Sequence, residues 1–411
     1  MRSLQEELEE IRRNGLERSL CEVESDQGTS LMLQEKTLLN FSSNNYLSLA
    51  NDPRLKKAAI EATQNYGTGS GASRLVTGSM KLHHELEAKM ARFKEAPAAL
   101  IFNSGYQANL GIITTLLREG DEVYSDELNH ASIVDACRLS QASRHIYRHN
   151  DMNHLEELLQ KNIGTGGARQ GAPHQPAAKQ SEARTAGGCQ SDRTRSIRRL
   201  IVADSVFSMD GDLAPLKDLA ALAEKYGAWL MLDEAHATGV FGPHGKGLVE
   251  EVWPQKRPSY LEEYLIQMGT FGKALGSFGA YVAGSADLIK LLINKARAFI
   301  YTTALPPGVV AASLKALEIV EKEPERRRKL WENVKIFKGP GGICSPIIPW
   351  IVGDSQKAMQ RSQKLFEKGF WVTAIRYPTV ARGTERLRIT LMASHQPEEI
   401  KSLREALNEL R

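Results

Sequence analysis

Short, mostly apolar runs alternate with amphipathic stretches along the middle of the chain. The apolar runs predict buried strands at residues 98–103, 121–126, 199–205, 228–235, 264–270 and 279–284. The stretches between most of them, for example residues 109–120 and 214–227, have the periodicity of helices. Such alternation is typical of a mostly parallel sheet that is covered by helices.

The two ends of the chain have a different pattern. Leucine and isoleucine recur at helical spacing in residues 2–20 and predict an amphipathic helix. Beyond a long helical stretch at 307–337, strand-like runs and a last helix are predicted at 346–353, 371–375, 387–391 and 397–411. We therefore predict a large α/β domain at 45–300, and a smaller α+β domain formed by 1–44 and 307–411.

One stretch, residues 164–196, fits neither pattern because it contains no Val, Ile, Leu, Met, Phe, Trp or Tyr. A segment that buries so little apolar surface cannot offset its ordering entropy, so we predict a disordered surface insertion. Its basic residues outnumber its acidic ones, and this excess accounts for most of the net charge of +4. A nucleic-acid-binding arm is the alternative, but the segment has no aromatic residues to stack on bases.

The composition, 42% hydrophobic and 25% charged, is that of an ordinary globular protein. No apolar run is long enough to predict a membrane span, and the charged N-terminal segment lacks the apolar core of a secretory signal. Neither C-x-x-C nor metal-ligand spacing is present among the cysteines, which are Cys21, Cys137, Cys189 and Cys344. We predict a cytoplasmic protein with free thiols and without a metal site.

The residue best suited to covalent chemistry is Lys273, which follows a predicted strand in a glycine-rich turn, GTFGKALG (269–276). A lysine that forms an imine needs a lowered pKa and a close-fitting cofactor, and glycines let the backbone approach. A solvated loop lysine is the alternative. Asp233 ends an apolar run, where parallel strands open into a ligand crevice. It can pair with a protonated ring nitrogen or cap the turn that follows.

Three further positions lie beside predicted strand ends. His236 follows Asp233 closely and can hydrogen-bond the same ligand or fill the loop. SGYQAN (104–109) opens a helix, so its free amides suit a phosphate, although Ser104 can also be an ordinary helix cap. His130 can stack on a flat ring or serve a structural role.

Together these segments resemble the α-oxoamine synthases, a family of fold-type I pyridoxal-phosphate enzymes. The similarity covers nearly the whole chain apart from residues 164–196. The matching segments are NFSSNNYLSLA (40–50), GTGSGASRLVTGS (67–79), SDELNHASIVDACRLS (125–140), VFSMDGDLAPL (206–216), LDEAHATGVFG (232–242), GTFGKALGSFGAY (269–281) and FIYTTALPP (299–307).

The resemblance implies a homodimeric, pyridoxal-phosphate-dependent acyltransferase that joins a small amino acid to an acyl thioester with loss of carbon dioxide. GSGASRLVTGS (69–79) and AIRYPTV (374–380) are most similar to members that use L-alanine and a pimeloyl thioester in biotin synthesis. A glycine C-acetyltransferase is the alternative within the family, and a non-catalytic dimer partner is the alternative outside it. The thioester carrier, coenzyme A or acyl-carrier protein, stays open.

The resemblance also implies site residues, position by position. Lys273 would hold the cofactor and move protons at the substrate α-carbon, Asp233 would keep the pyridine nitrogen protonated, and His130 would stack on the ring. Contacts to the phenolic oxygen are implied for His236 and Ser208. Contacts to the phosphate are implied for Gly105, Tyr106, Thr270 and, from the neighbouring subunit, Thr303. Contacts to substrate are implied for Arg18, Thr379 and Arg388.

Two departures from the family pattern stand out. Ser48 occupies a position where the family usually has glycine. The segment between Phe337 and Pro346 is shorter than usual, which predicts that the small domain lacks a helix end and a strand.

Overall fold

The computed structural model describes residues 3–165, 196–339 and 345–410. The predicted insertion at 164–196 lies almost entirely outside the described residues, and so does the centre of the shortened segment at 337–346.

Strands and helices alternate through most of the described chain. The strands are β1 (Ser30–Leu33), β2 (Lys36–Asn40), β3 (Ala98–Phe102), β4 (Glu122–Asp126), β5 (Ser143–Tyr147), β6 (Arg199–Asp204), β7 (Trp229–Asp233), β8 (Leu265–Thr270), β9 (Ala280–Gly284), β10 (Ile347–Ile351), β11 (Phe370–Trp371), β12 (Thr373–Ile375) and β13 (Arg386–Thr390). The helices are α1 (Leu4–Arg13), α2 (Pro53–Tyr66), α3 (Lys81–Phe93), α4 (Gly105–Leu116), α5 (Ala131–Leu139), α6 (Met152–Thr165), α7 (Leu216–Tyr226), α8 (Leu248–Val252), α9 (Tyr260–Tyr264), α10 (Ala286–Lys295), α11 (Arg297–Ile300), α12 (Pro307–Lys322), α13 (Pro324–Lys338), α14 (Ser355–Glu367) and α15 (Pro397–Asn408).

The central sheet has seven strands in the order β3-β9-β8-β7-β6-β4-β5. β9 is antiparallel to both of its neighbours, and the other pairs are parallel. Each of the six predicted central strands is present. Successive residues of β6 enter different hydrophobic clusters, Ile201 on one face and Val202 on the other. The centre of the sheet is therefore buried on both faces, which explains why β3, β7 and β9 are almost wholly apolar.

Two three-stranded sheets lie beside the central one, in the orders β10-β13-β12 and β1-β2-β11. The run predicted as one strand at 371–375 is divided between them, because β11 pairs with β2 and β12 pairs with β13. The helix predicted at 307–337 is also divided. Glu323 is extended (φ −121°) just before Pro324, whose ring and missing N–H prevent the helix from continuing.

The N-terminal helix is shorter than the prediction for residues 2–20. It ends at Arg13, and Gly15 then adopts φ +65°, so Leu16 lies outside the helix. No residue of α1 is buried, and Leu4 and Leu8 are exposed. The helical spacing predicted the helix correctly, although none of the described residues covers its apolar face.

The unusual serine at position 48 has a left-handed backbone conformation, φ +57°. Glycine adopts this conformation without steric cost, whereas an L-residue is disfavoured by roughly 1–2 kcal/mol. The hydroxyl of Ser48 offsets part of this cost, because it lies 2.6 Å from the Ser394 hydroxyl and accepts the Ser394 amide at 3.3 Å. The side chain thus links the 46–50 turn to the loop before α15.

We expect Ser48→Ala to lower the free energy of unfolding by about 1 kcal/mol, because it loses the hydrogen bond and keeps the strain. Ser48→Gly loses the same bond but relieves the strain, so its stability should stay close to that of the wild type. Chemical unfolding of both variants measures this difference, with Ser394→Ala as the control that loses only the hydroxyl–hydroxyl bond and keeps both the amide bond and the strain. Equal stability of the Ala and Gly variants would contradict the assignment of strain.

Candidate active site

The predicted functional residues gather where the parallel strands end. Asp233 is the last residue of β7, and Lys273 lies three residues after β8. His130 caps α5 just after β4. Asp204 ends β6 and is the register partner of Asp233. The same edge of the sheet therefore carries an amine, two carboxylates and an imidazole.

A tight turn holds Lys273 between β8 and β9. The Gly276 amide donates to the Lys273 carbonyl at 2.9 Å, and the Phe271 amide donates to the Gly279 carbonyl at 2.9 Å. Gly276 has φ +61°, and a Cβ there would lie 2.3 Å from the Ala50 nitrogen. The glycine lets this turn pack directly against the chain at position 50, and the lysine is left half-buried with its amine directed into the site.

Burial lowers the pKa of Lys273 to about 8. The Asp233 and Asp204 carboxylates oppose this shift, and the Arg388 guanidinium adds to it. The amine Nζ lies 2.9 Å from His236 Nε2. A substantial neutral fraction of the amine near neutral pH is what a nucleophilic lysine needs, so the solvated-loop alternative is wrong.

The Asp233 carboxylate is buried and receives two hydrogen bonds. Asn109 Nδ2 donates to one oxygen at 3.0 Å, and the Ala235 amide donates to the other at 2.9 Å. Asp233 therefore caps the turn that follows it and also faces the charge of Lys273. The two readings of this residue are compatible.

His236 is the centre of a hydrogen-bonded chain. Its Nδ1 lies 2.8 Å from the Tyr46 hydroxyl, which also donates to Asn44 Oδ1 at 3.2 Å. Burial and the nearby Lys273 charge lower the pKa of His236 well below its ordinary value. Burial raises the pKa of Tyr46 to about 12. A neutral imidazole and a neutral phenol therefore connect Lys273 to Asn44.

Arg388 brings the small antiparallel sheet into the site. It lies on β13, and both terminal nitrogens donate to Asn44 Oδ1 at 3.2 Å. Its Nε donates to the Ser208 carbonyl at 2.6 Å. The guanidinium is buried, and no carboxylate of the described residues forms an ion pair with it, whereas the neighbouring Arg386 pairs with Asp210. It is therefore suited to receive an anion.

Two of the predicted phosphate-binding residues, Gly105 and Tyr106, begin α4, and a third, Thr270, ends β8. Ser104 caps this helix by accepting the Gln107 amide at 3.2 Å. A Cβ added to Gly105 would meet nothing closer than Met268 at 4.0 Å, so the helix end is open. Tyr106 is exposed and donates to Asp135 at 2.8 Å. The Thr270 hydroxyl donates to the Gly279 carbonyl at 2.8 Å.

Three predicted residues lie apart from this cluster. Arg18 donates to the Thr379 hydroxyl at 3.3 Å, so these two substrate candidates contact each other at an exposed position. Thr303 is exposed and forms an isolated β-bridge with Ser73. Thr303 therefore lies outside the cluster around Lys273, and its contact with the phosphate of a neighbouring subunit stays a prediction.

His130 exposes its side chain at the edge of the cluster. Its Nδ1 accepts the Ser132 amide at 3.2 Å and lies 2.8 Å from the Ser132 hydroxyl, and its own amide donates to Asp204 at 3.1 Å. The backbone and one ring nitrogen are thus fixed while the ring remains available. The structural and ring-stacking readings are compatible.

Four polar residues of the site were missed at the sequence level: Asn44, Tyr46, Asn109 and Asp204. Asn109 is a buried amide among the buried apolar residues of α4, and Asp204 follows the apolar run LIVA of β6. Both are polar residues in an apolar pattern, a signal that could have identified them. Asn44 and Tyr46 had no comparable signal because they lie in a polar loop.

The donor set fits pyridoxal phosphate. A buried carboxylate suits a protonated ring nitrogen, an amine of lowered pKa suits an aldehyde, and an open helix N-terminus suits a phosphate. The described residues contain no group of three His, Cys, Asp or Glu side chains that could hold a metal. None of the helices in the described part of the chain is both long and apolar enough to cross a membrane. Cys21 and Cys137 are free thiols.

Comparison with known sequences adds independent support. The family model for aminotransferase class I and II matches residues 36–407. The chain is 47% identical over 410 residues to the 8-amino-7-oxononanoate synthase of Geobacter sulfurreducens, with 97% of this chain and 95% of that protein covered. It is 41% identical over 415 residues to the enzyme of the same name from Thermoanaerobacter pseudethanolicus, with 99% and 96% covered.

Solved structures agree. Serine palmitoyltransferase of Sphingomonas wittichii matches with a TM-score of 0.83 at 28% identity, covering 99% of this chain and 96% of that one. A structure of SPT with a PLP internal aldimine has the same values. An 8-amino-7-oxononanoate synthase from Francisella tularensis matches with a TM-score of 0.69 at 29% identity, covering 91% and 96%. The predicted fold-type I pyridoxal-phosphate fold is confirmed.

The lowered pKa of Lys273 can be measured in the cofactor-free protein. Its modification by an amine-specific reagent should rise with pH through a midpoint near 8, because only the neutral amine reacts. Asp233→Asn should move this midpoint down, since the carboxylate favours the ammonium. Arg388→Met should move it up, since the guanidinium disfavours the ammonium. Peptide mass spectrometry against pH gives all three midpoints, and a wild-type midpoint near that of an ordinary lysine, about 10.4, would contradict the burial argument.

Proposed function

The chain belongs to the aminotransferase class I and II family, and we propose that it is an 8-amino-7-oxononanoate synthase. In this proposal it condenses L-alanine with a pimeloyl thioester, with loss of carbon dioxide, in biotin synthesis. The observation that carries the proposal is the position of the Lys273 amine beside His236, with Asp233 at the end of the neighbouring strand. The near full-length relatives with this name support the choice within the family.

The residues at the strand ends would hold pyridoxal phosphate. Asp233 would accept a hydrogen bond from the ring nitrogen, His130 would stack on the ring, and Lys273 would bind the cofactor covalently. Contacts to the phenolic oxygen are proposed for His236 and Ser208. Contacts to the phosphate are proposed for Gly105, Tyr106, Thr270 and the neighbouring subunit's Thr303. When bound, the cofactor supplies an electron-accepting ring that stabilises negative charge at the substrate α-carbon.

The chain's own residues supply the proton transfer and the substrate binding. With a pKa of about 8, the Lys273 amine can both accept and return a proton near neutral pH. The buried Arg388 guanidinium would bind the carboxylate of the amino acid. Arg18 and Thr379, which contact each other, would complete the substrate site.

We also propose a cytoplasmic homodimer with the large and small domains divided as the sequence predicts. The segments around Ser73 and Thr303 meet at a β-bridge, and large apolar side chains near them are exposed. These side chains are Leu75, Val76 and Tyr301. A second subunit would cover this apolar surface and receive Thr303.

The substrate assignment predicts a preference that a thiol-release assay can measure. L-Alanine with pimeloyl-CoA should give a kcat/KM at least about tenfold higher than glycine with acetyl-CoA. This is the difference expected for methylene contacts in a fitted pocket. The same comparison with pimeloyl-acyl-carrier protein identifies the carrier. Lys273→Ala is the blank. Faster release from glycine plus acetyl-CoA would favour a glycine C-acetyltransferase, and no release with any pair would favour a non-catalytic dimer partner.

Asp233→Asn should lower turnover by about 10³-fold or more, because a neutral amide cannot keep the ring nitrogen protonated. The fold should be retained, since an amide has the same shape and the variant still presents one oxygen to Asn109 or Ala235. Steady-state kinetics and thermal unfolding test both points. Asp218→Asn, at an exposed position in α7, is the matched control. Near-normal turnover in the Asp233 variant would refute the role.

A further inference from the structure

A tight turn between β6 and α7, which we call the 206–213 turn, lies between the central sheet and the small sheet. Val206 and Leu213 form an antiparallel bridge at its base. Within it, the Phe207 amide donates to the Asp212 carbonyl at 3.0 Å, and the Gly211 amide donates to the Phe207 carbonyl at 2.8 Å. Gly211 has φ +73°, and a Cβ there would lie 2.4 Å from the Ile347 carbonyl oxygen. The turn is therefore packed directly against β10.

One side of the 206–213 turn orients two arginines of β13. Arg388 Nε donates to the Ser208 carbonyl at 2.6 Å. Arg386 donates to the Met209 carbonyl at 3.2 Å and forms an ion pair with Asp210. A guanidinium that is held through Nε keeps its other nitrogens in one plane and one direction. The direction of Arg388 therefore depends on where the turn lies.

The other side of the turn is held by His149, in the loop after β5. Its Nε2 lies 2.7 Å from Asp212 Oδ2, and its Nδ1 lies 2.9 Å from Asp126 Oδ1. An ionised carboxylate only accepts hydrogen bonds, so each ring nitrogen must carry a proton and the ring must be an imidazolium. The ring also packs edge-on against Phe207, with centroids 4.4 Å apart.

The charges around His149 also favour the imidazolium form of its ring. Burial alone would lower the pKa of His149, but the hydrogen bonds and charges of Asp126 and Asp212 raise it to about 10. Asp126 is fully buried at the end of β4 and also accepts the Leu128 and Asn150 amides, each at 2.9 Å. Asp126 is therefore fixed in the central sheet, while Asp212 belongs to the 206–213 turn.

We propose that His149 is a positioning residue for the amino-acid substrate. Its imidazolium ties Asp212 of the 206–213 turn to Asp126 of the central sheet. The 206–213 turn, held in this way, fixes the direction of Arg388. The role of Arg388 as the carboxylate-binding residue rests on the proposed function. The tie itself is a property of this chain and can be tested without catalysis.

The first test measures the turn directly. In His149→Gln the neutral amide can donate to only one of the two carboxylates and must present its oxygen to the other. Hydrogen exchange of the Phe207 and Gly211 amides in the cofactor-free protein should become about tenfold faster or more, because the turn opens more often. His145→Gln is the matched control, since His145 lies on β5 and stacks on Tyr124 away from the turn.

A double variant separates this specific tie from a general loss of packing. In His149→Gln/Asp212→Asn the new amide at 212 can donate to the glutamine oxygen, so slow exchange should largely return. If the double variant exchanges as fast as the single one, or if His149→Gln exchanges like the wild type, the tie is wrong. Asp212→Asn alone, which keeps an acceptor for the imidazolium, is the milder variant should His149→Gln fail to fold, and it should speed exchange by a smaller factor.

The second test measures substrate binding. His149→Gln should raise the KM for the amino acid by about tenfold, leave the KM for the thioester unchanged and alter kcat little, because a misdirected Arg388 weakens binding equally in the ground and transition states. The double variant should restore the KM. Equal rises in both KM values would overturn the positioning role. A wild-type protein without activity would instead refute the proposed function, and the exchange result would still stand.

Discussion

The site depends on one unfavourable placement, a lysine amine held half-buried at the end of a sheet. Burial works against the ammonium of Lys273, and the Asp233 and Asp204 carboxylates restore only part of what hydration would supply. The balance leaves a pKa of about 8, close enough to neutrality for the amine to exist in both protonation states. A stronger ion pair would have kept the amine charged. Within the described residues the Lys273 amine contacts His236 and forms no direct ion pair with Asp233, and this arrangement is part of how the site is built.

Parallel strand order explains how these charges meet. Asp204, Asp233 and Lys273 follow three adjacent strands, and strands that run in the same direction end at the same edge. A fourth ionisable group, Arg388, comes from a different sheet, on strand β13. Asn44 and Tyr46 connect Arg388 with His236, because Asn44 Oδ1 receives Arg388 while Tyr46 contacts both Asn44 and His236. A change in the position of the β10-β13-β12 sheet would therefore alter the surroundings of the Lys273 amine through these neutral hydrogen-bonding groups.

The sequence predicted the strands that are buried on both faces of the central sheet. It predicted few of the strands and polar residues that lie at the edges of the sheet. The central strands were identified because each contains a short run of mostly apolar residues, such as LIVA in β6 and WLML in β7. β5 was missed because it is an edge strand, SRHIY, in which only Tyr147 is buried. Lys273, Asp233 and His236 were found from their positions at strand ends, whereas the cofactor and the role of each residue came from resemblance. Asn44 and Tyr46 could not be found in this way, since a polar loop gives no sign of which side chains turn inward.

The hydroxyl groups predicted to bind a phosphate already have partners within the chain. Tyr106 donates to Asp135, and Thr270 donates to the Gly279 carbonyl while accepting the Gly272 amide. A fully ionised phosphate only accepts hydrogen bonds, so Thr270 must release the Gly279 carbonyl before it can donate to one. The Gln107 amide already donates to Ser104, but the Gly105 and Tyr106 amides have no acceptor among the described residues, and the helix dipole favours an anion there. The attraction of the phosphate to this edge must therefore begin with the helix, and the side-chain hydroxyls can contribute only after they exchange partners.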